Sequence, residues 1–582
     1  MSRYPAQEHL GGDNKIPSIL YYDQQHTVRA VGAEALQQQI IEQAEDENWV
    51  KLEWWKLHLR ARHLSSSHIR DDDIPPLPQG LSAVQVLSDF MKYLFKCARN
   101  YIVESHASGS SMWRSLENQI EFVLTHPNGW EGPQQQQIRR AAELAGLVPS
   151  GMEGSSRLHL LTEGEASLHF CVTTVLASDT LSQTPILYSG QPEDEPAEQD
   201  YQGVAIIDAG GGTIDLSVYS MTFSPSVSVE EIAPAECRLQ GSVFVTLRAQ
   251  QFLTTKLANS RYGAPEIVKQ MADIFDKETK LGFRNAETPQ YIKFGTIRDR
   301  DPEYDIRSGQ LKIAGNEVAK FFEPSVDAIA EAFDQQKRTA SMPIKHAFLV
   351  GGYAASDFLF MSLQQHASFS DVTLCRPGSR PNKAVADGAV SFHIDHLVTS
   401  RVAKVTYGLP CYVPFQPSLA DHASRAHTKF CDLTGYWNLP NAFQSILKRV
   451  FVFCDYNTDP HGILQGTQVS EQEEFRSSFV RYRRSTTDCA SISENIHDYR
   501  GSLSDPCWMD VEPASFTENC RIFADTSNAA SSLLPRTSPH GNTYYSLDFE
   551  VILLFGLTEL KAQICWSENG VEKRYSPTHI EP

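Results

Sequence analysis

The 582-residue sequence lacks several features that would assign it to a class at once. It contains no run of about eighteen uncharged apolar residues, so we expect no helix that spans a membrane. The first residues, MSRYPAQEHL, lack the basic and then apolar pattern of a secretory signal. None of the eleven cysteines occurs as Cys-x-x-Cys, so neither a zinc site nor a redox pair has support. We expect reduced thiols and a cytoplasmic location, with the nucleus as the other default compartment.

Positive charge is also scarce. The chain has 71 acidic and 51 basic residues, which gives a formal net charge of −20. Such a surface repels nucleic-acid phosphates and anionic lipids. We therefore expect neither a nucleic acid nor a membrane as a partner, and we place the densest basic run, Arg481 to Arg484, on a solvated strand edge.

Two common phosphate-binding motifs are missing, namely the Gly-Lys-Ser/Thr of the P-loop and the Gly-x-Gly-x-x-Gly of dinucleotide-binding folds. The sequence has instead three consecutive glycines, Gly210 to Gly212, followed by Thr213 and flanked by Asp208 and Asp215. Glycines without a Cβ, at positive φ, allow successive N–H groups to converge on a phosphate. Asp208 then implies Mg²⁺ held through water, or an oriented water molecule. A simple glycine-rich turn between two strands explains the same residues.

A second glycine pair, Gly351-Gly352, follows the apolar run 346–350 and precedes a predicted helix near 355–365. This arrangement allows the backbone to approach a flat or anionic group at a helix N-terminus. Alone it is weak evidence, because many strand-to-helix turns contain such a pair.

The apolar periodicity predicts alternating helices and strands up to residue 400 and mainly strands afterwards. We therefore predict an α/β domain over 1–400 and a β-rich region over 401–582. The main predicted elements are a helical segment over 33–60, a helix over 81–104, a strand over 120–125, helices over 133–146, 242–285 and 316–336, and a β-hairpin over 203–219.

Together these motifs resemble the seventy-kilodalton heat-shock proteins, within the superfamily of actin and the sugar kinases. The resemblance covers residues 15–400. The matching segments are Asp208 to Ser217 for the second phosphate motif, His346 to Ser356 for the adenosine motif, Thr162 to Ala166 and Pro381 to Ala389 for the two connecting segments, and Leu239 to Phe244 for a helix start beside the phosphates. In the first connecting segment Gly164 replaces the usual proline, and one glycine of the pair at Gly241 is lost.

The resemblance implies a two-lobed actin-like domain, with ribonuclease H-like subdomains, that binds ATP or ADP with Mg²⁺. In it Gly210 to Thr213 hold phosphate, Asp208 positions the metal or water, and Asp215 supports the metal shell. Glu163 couples the lobes, Gly241 starts the phosphate-adjacent helix, and Gly351 and Gly352 pass beside adenosine, as does Lys280 in a looser alignment. Lys56 is the nearest match to the catalytic lysine, and an ordinary surface lysine is the other interpretation.

The segments Thr125 to Trp130 and Phe549 to Glu572 are similar to a divergent branch, common in fungi, related to the vertebrate twelve-type proteins. The first phosphate hairpin of the family is absent, since Lys15 to Tyr22 resembles what normally follows it. Either the chain is a weakened binder or its start was assigned too late. Residues 450–465 interrupt a family-like passage, and a retained intron is one hypothesis for them.

The resemblance implies a stress-response chaperone whose slow ATP hydrolysis rotates the lobes and acts on a polypeptide client or co-chaperone. No acidic-leucine linker follows residue 400 and no Glu-Glu-Val-Asp tail closes the chain, so peptide clamping under a lid does not carry over. The alternative function is an inert or nucleotide-sensing scaffold. A sugar kinase is a third hypothesis, for which we find no acceptor-activating motif.

Overall fold

The computed structural model describes residues 4–7, 15–60, 74–175, 201–222, 228–377, 383–449, 451–452, 463–464, 468–470, 473–556, 559–568 and 570–575. Most of the 450–465 segment, and the first two residues of the second connecting segment, lie outside these residues. The chain forms two compact units. Unit 1 comprises residues 1–130, 140–148 and 157–397, and unit 2 comprises residues 131–139, 149–156 and 398–582.

The described part of the chain mixes helices and strands, as predicted. Its α-helices are α1 Gln38–Asp46, α2 Ala83–Ser105, α3 Gly109–Leu116, α4 Gly132–Leu144, α5 Met152–Ser156, α6 Glu163–Val175, α7 Ser242–Lys256, α8 Pro265–Ile274, α9 Lys280–Gly282, α10 Gly315–Thr339, α11 Asp357–Gln365, α12 Ala384–Asp395, α13 Ala420–Ser424 and α14 Ser527–Ser531. None of these described helices is long and apolar enough to cross a membrane.

The strands in the same residues alternate with helices in unit 1 and dominate unit 2. They are β1 Leu20–Tyr22, β2 Val28–Val31, β3 Val50–Leu52, β4 Phe122–His126, β5 Leu158–Thr162, β6 Gln202–Ala209, β7 Ile214–Thr222, β8 Ser228–Arg238, β9 Gln290–Lys293, β10 Ile306–Arg307, β11 Gln310–Ile313, β12 Ile344–Val350, β13 Thr373–Cys375, β14 Val398–Val402, β15 Thr406–Pro414, β16 Phe430–Cys431, β17 Trp437–Leu447, β18 Phe451–Val452, β19 Ile463–Leu464, β20 Gln468–Ser470, β21 Phe475–Arg483, β22 Ser491–Tyr499, β23 Phe516–Asp525, β24 Arg536–Thr537, β25 Thr543–Gly556, β26 Glu559–Glu568 and β27 Val571–Tyr575.

The long helix predicted over 81–104 is confirmed as α2. The Ser82 hydroxyl caps it by accepting a hydrogen bond from the Gln85 N–H at 3.2 Å, which satisfies one of the free donors at a helix start. Its apolar face, including Val86 and Phe90, packs on the sheet β2-β1-β3 around Tyr22. This packing fixes the elements that lead to Lys56.

The single helical segment predicted over 33–60 is wrong. Helix α1 ends at Asp46, and Asn48 takes the left-handed conformation with a φ of 56°, which asparagine tolerates better than most residues. The chain then continues as β3, which pairs with β1 and buries Leu52. A short 3₁₀ helix, Trp55–Leu59, follows. The tertiary pairing with β1 overrides the helical periodicity.

The central sheet of unit 1 has the strand order β13-β12-β6-β7-β8. Strand β12 is parallel to β6 and β13, whereas β7 is antiparallel to both β6 and β8. The predicted hairpin is therefore confirmed as β6 and β7. Both strands are buried along nearly their whole length, because the helices of unit 1, among them α6 and α10, pack on the sheet.

Helices α6 and α12 cross at a glycine. A Cβ on Gly388 would lie 1.7 Å from the Ala166 carbonyl oxygen. Because this atom belongs to the backbone, a change of side-chain rotamer could not relieve the clash. The two helices can therefore approach this closely only with glycine at the crossing.

Unit 2 is built mainly from two antiparallel sheets. One has the order β16-β17-β15-β22-β23, and the other has the order β21-β25-β26-β27 with β24 paired to β25. Their inner faces share one core that includes Ile496, Ile522, Phe549 and Ile564, as in a β-sandwich. The described cysteines form no disulfide.

Candidate functional site

The three glycines form the turn between β6 and β7. The Gly210 N–H donates to the Thr213 carbonyl at 2.9 Å and closes the turn. The carbonyl oxygens of the loop are directed at the start of α7: Gly210 accepts from the Ser242 N–H at 3.1 Å, Gly211 from the Val243 N–H at 2.9 Å, and Gly212 from the Gly241 N–H at 3.2 Å. The glycine loop therefore caps α7 with its own carbonyl groups.

This capping fixes where the N–H groups of the glycine loop point. In a trans peptide the C=O and the following N–H point in opposite directions. Since the carbonyls of residues 210–212 all face α7, the N–H groups of Gly211, Gly212 and Thr213 are directed to the opposite side. These three N–H groups donate no hydrogen bond to any described part of the chain. Consecutive unpaired N–H groups on one side form a concavity suited to an anion.

The glycines serve close approach rather than unusual backbone angles. The positive φ values that we predicted are wrong for Gly210, Gly211 and Gly212. A Cβ on Gly241 would lie 2.4 Å from the Gly211 oxygen, and one on Gly212 would lie 3.0 Å from a methyl carbon of Leu57, whereas a Cβ on Gly211 would meet nothing within 4 Å. Glycine at 241 allows α7 to reach the loop, and glycine at 211 leaves the exposed face open.

Gly351, from the second glycine pair, packs against Asp208, which precedes the glycine loop. Strand β12 runs beside β6 with Val350 opposite Asp208. Gly351 has a φ of +91°, and a Cβ there would lie 2.2 Å from Asp208 Oδ1 and 2.4 Å from the Ala209 oxygen. Gly352 follows in a helical conformation and precedes a 3₁₀ turn before α11. The two glycine motifs, separate in sequence, thus form one cluster.

Two buried carboxylates flank the glycine loop. Asp208 and Asp215 lie opposite each other across the hairpin and are 4% and 1% exposed. Ser167 Oγ donates to Asp208 Oδ2 at 3.2 Å, and the Asn128 N–H donates to Asp215 Oδ1 at 2.6 Å. The second oxygen of Asp215 is buried and meets the geometry of a hydrogen bond with no described donor, although the side chains of Thr213 and Cys237 lie beside this carboxylate. A buried carboxylate oxygen without a partner favours the approach of a cation or a donor.

The pKa values of both carboxylates reflect this environment. Burial, followed by the charge of Glu163, raises the pKa of Asp208 and of Asp215 to about 7, because water no longer solvates the ionised forms. The oxygens of these three carboxylates do not gather within 4.8 Å of one another as a ready cage. This donor set fits Mg²⁺, which keeps several of its waters and is usually bound by one or two carboxylates together with phosphate.

Lys56 lies beside these carboxylates. Its Nζ is 2.7 Å from Glu163 Oε1 and 5.5 Å from the centre of the Trp130 ring. Although 47% of the Lys56 side chain is exposed, partial desolvation of the ammonium lowers the pKa of Lys56; Glu163 and then Asp215 and Asp208 outweigh that effect, so its pKa is raised above the ordinary value. The preceding Trp54 has a φ of 58°, an uncommon conformation for a bulky side chain. The ammonium is thus part of the charged cluster.

Lys280 is placed differently. Its ammonium is buried and donates to the Asp276 carboxylate, to Thr246 Oγ1 at 3.1 Å and to the Ser242 oxygen at 3.3 Å. These acceptors match its three N–H donors. Lys280 therefore braces the start of α7, which contacts the glycine loop, and its contact with adenosine stays a prediction.

Sequence reasoning missed Asn128, Ser167 and Trp130. Strands β4 and β5 are parallel, so their carboxyl ends, followed by Asn128 and Glu163, lie at one edge. The segment Thr125 to Trp130 was the one sequence feature that pointed to Asn128 and Trp130. Strand β5 was not predicted, and without its pairing with β4 the sequence gives no reason to place Asn128 at the glycine loop.

The free energy of unfolding of the ligand-free chain should fall as pH rises from about 4 to about 7. The folded pKa values of Asp208 and Asp215 are raised, from 3.8 to about 7. In this window the folded state holds protons that the unfolded state has lost, so raising the pH favours unfolding. Because a shift of about three pKa units corresponds to about 4 kcal/mol, we expect each carboxyl group to contribute at most about 4 kcal/mol to this fall. Urea unfolding of the wild type and Asp215→Asn across this range measures it, and equal slopes for the two proteins would contradict it.

In a mixed α/β unit, a glycine hairpin and a glycine strand-to-helix turn thus meet at buried carboxylates, beside a lysine–glutamate pair. No protein-family model matches the chain. It is 22% identical to heat shock 70 kDa protein 12A of Mus musculus over 428 residues, which cover 63% of this chain and 62% of that protein. It is 22% identical to the Homo sapiens 12A protein over 424 residues, covering 63% and 61%.

A further relative is heat shock 70 kDa protein 12B of Homo sapiens, 24% identical over 357 residues, which cover 51% of this chain and 52% of that protein. The matches thus span between about half and three fifths of these curated relatives. The chain is a divergent relative of heat shock 70 kDa proteins 12A and 12B, which confirms the predicted resemblance. The fungal placement stays a prediction.

Proposed function

We propose that unit 1 binds ATP with Mg²⁺ at the glycine loop. The observation that carries this proposal is the set of three N–H groups, from Gly211, Gly212 and Thr213, that face away from α7 without a partner in the described chain. A phosphate supplies several acceptor oxygens at the spacing of such donors. The kinship with heat shock 70 kDa proteins 12A and 12B supports a nucleotide as the source of that phosphate.

The carboxylates give the chemical reason for the metal. A phosphate chain beside Asp208 and Asp215 would place like charges together, and Mg²⁺ bound between them would neutralise that charge. Asp208 would hold the metal or orient the attacking water, and Asp215 would accept from the waters of the metal shell through its unpartnered oxygen. Gly351 and Gly352 would pass beside adenosine, with Lys280 behind the start of α7.

Lys56 and Glu163 would act in turnover. The ammonium, held by Glu163 at 2.7 Å, supplies positive charge beside the phosphate site, and such fixed charge stabilises the transition state of phosphoryl transfer. We propose slow hydrolysis of ATP in an actin-like, two-lobed domain with ribonuclease H-like subdomains. Rotation of the lobes about the connecting segments, which include Glu163 and Gly388, would then act on a polypeptide client or a co-chaperone.

Calorimetric titration of the full chain with ATP, ADP and adenosine, each with MgCl₂, tests the binding proposal. We expect saturable binding of ATP and ADP, at least about tenfold weaker binding in EDTA, and no measurable binding of adenosine, because the phosphates supply most of the contacts. Asp208→Ala should weaken the Mg²⁺-dependent part. A folded wild-type chain that binds neither ATP nor ADP would leave only the inert scaffold.

Replacing Lys56 by methionine should slow single-turnover hydrolysis of ATP by about 100-fold and change the affinity for ATP by less than about tenfold, since the fixed charge acts mainly in the transition state. Lys320→Met is the matched control, because Lys320 is an exposed lysine that pairs with Glu317. An unchanged rate in Lys56→Met would show that Lys56 takes no part in turnover. Tight binding without wild-type turnover would favour the nucleotide-sensing scaffold.

A further inference from the structure

A second set of metal-ligating side chains lies in unit 1, apart from the glycine loop. It consists of Glu121, His159 and His393, whose ligand atoms all lie within 4.8 Å of one another. His159 Nε2 is 2.8 Å from Glu121 Oε2, and His393 Nε2 is 4.0 Å from the same oxygen. Within the described ranges this is the one such group of three histidine, cysteine, aspartate or glutamate residues.

The three ligands come from separate elements that the fold brings together. Glu121 immediately precedes β4, His159 lies in β5, which is parallel to β4, and His393 lies in the last turn of α12, which packs on β4. Glu121 and Asn128 lie at opposite ends of β4, on the order of 20 Å apart at about 3.3 Å per residue. The group is therefore distinct from the carboxylate cluster at the glycine loop.

The fold holds these elements in place before any ion binds. Helix α12 is fixed against α6 where Gly388 meets the Ala166 carbonyl, and β4 and β5 are joined by a continuous parallel ladder. The imidazole rings of His159 and His393 are already 5.6 Å apart, measured between centroids. Little rearrangement is needed for the three side chains to converge on one point.

We propose that Glu121, His159 and His393 bind a divalent transition-metal ion, with Zn²⁺ as the first choice. Zinc takes imidazole and carboxylate ligands at about 2.0–2.2 Å in tetrahedral geometry, which places ligand atoms roughly 3.3–3.6 Å apart. The observed separations of 2.8 Å and 4.0 Å lie on either side of this value. Two imidazoles disfavour Mg²⁺ and Ca²⁺, which prefer oxygen ligands.

The surroundings are compatible with such an ion. Glu121 and His393 are exposed and His159 is partly buried, so a water can complete the coordination. The neighbouring guanidinium of Arg157 donates to the carbonyl oxygens of Ile120 and Glu117, at 3.0 Å and 3.2 Å. A bound ion joins α12 to β4 and β5, and unit 1 is then more stable with the ion than without it.

The test uses the full chain purified without a polyhistidine tag and stripped of metal by a chelator. Titration with ZnCl₂, and separately with CoCl₂, should show one ion bound with micromolar or tighter affinity, a visible Co²⁺ spectrum typical of tetrahedral coordination, and a melting temperature raised by several degrees. His393→Gln and Glu121→Gln should each weaken binding by at least about tenfold. Both residues are exposed, so both variants should fold.

His427→Gln is the control, because His427 is an exposed histidine in unit 2 and its loss should leave the affinity unchanged. Wild-type affinity in His393→Gln would overturn the proposal, and so would a Co²⁺ spectrum dominated by thiolate charge transfer from the cysteines. Absence of binding by the wild type would reduce the group to the ion pair between His159 and Glu121. None of these outcomes depends on whether ATP binds.

Discussion

Replacing Gly211 by valine should abolish measurable binding of ATP while leaving the chain folded. A Cβ at this position would meet no atom within 4 Å, and Gly211 is exposed, so the substitution adds side chain only where the loop is open. The N–H groups of Gly211, Gly212 and Thr213 have no partner in the described chain, and we expect the valine side chain to occupy space that a phosphate bound to them needs. We expect affinity for ATP to fall by at least about 100-fold, or about 2.7 kcal/mol.

The free energy of unfolding should change by less than about 1 kcal/mol, because an exposed position without neighbours tolerates substitution. Gly282→Val is the matched control, since Gly282 is also exposed, has an ordinary φ, and a Cβ added there would meet nothing within 4 Å. It should leave both affinity and stability unchanged. Calorimetric titration and urea unfolding measure the two quantities. If Gly211→Val bound ATP with wild-type affinity, the glycine loop would not be the site that contacts the phosphates.

Replacing Gly351 by alanine should destabilise the chain by about 2–5 kcal/mol. Two costs add. A non-glycine residue at a φ of +91° is strained by about 1–2 kcal/mol. The new Cβ would also lie 2.2 Å from Asp208 Oδ1 and 2.4 Å from the Ala209 oxygen, and relieving such overpacking costs about 1–3 kcal/mol. The shift of β12 against β6 should weaken ATP binding as well.

Gly151→Ala separates the two costs. Gly151 has the same φ of +91°, but a Cβ there would meet nothing within 4 Å. In urea unfolding, Gly151→Ala should therefore lose only the stability that backbone strain at this φ costs, about 1–2 kcal/mol. Equal destabilisation by both substitutions would mean that Gly351 does not press on Asp208 and that the two glycine motifs are not packed as described.

The parts of the site that could be predicted from sequence are those encoded in consecutive residues. Gly210 to Thr213 between two apolar runs specify a hairpin locally, and Gly351 after an apolar strand specifies a strand-to-helix turn. The parallel pairing of β12 with β6 then brings them together. Close packing explains glycine at 212, where a Cβ would lie 3.0 Å from Leu57, but a Cβ on Gly211 would meet nothing, and neither glycine has the positive φ that we predicted.

The remaining parts depend on contacts between distant residues. Asn128 reaches Asp215 because β4 and β5 end at one edge of the fold, and no local pattern records this. The helical periodicity before Lys56 is broken by the pairing of β3 with β1, which is also a tertiary effect. The absence of Cys-x-x-Cys argued against a zinc site, yet Glu121, His159 and His393 assemble from three separate segments.

Amide hydrogen exchange of the glycine loop, with and without ATP and MgCl₂, tests the central claim most directly. The N–H groups of Gly211, Gly212 and Thr213 have no acceptor in the described chain, so they should exchange rapidly in the free protein. With nucleotide bound, exchange in the peptide that contains them should slow by at least about tenfold, whereas the peptide that contains His427, in unit 2, should be unchanged. Unchanged exchange in the glycine loop at saturating ATP would contradict the account.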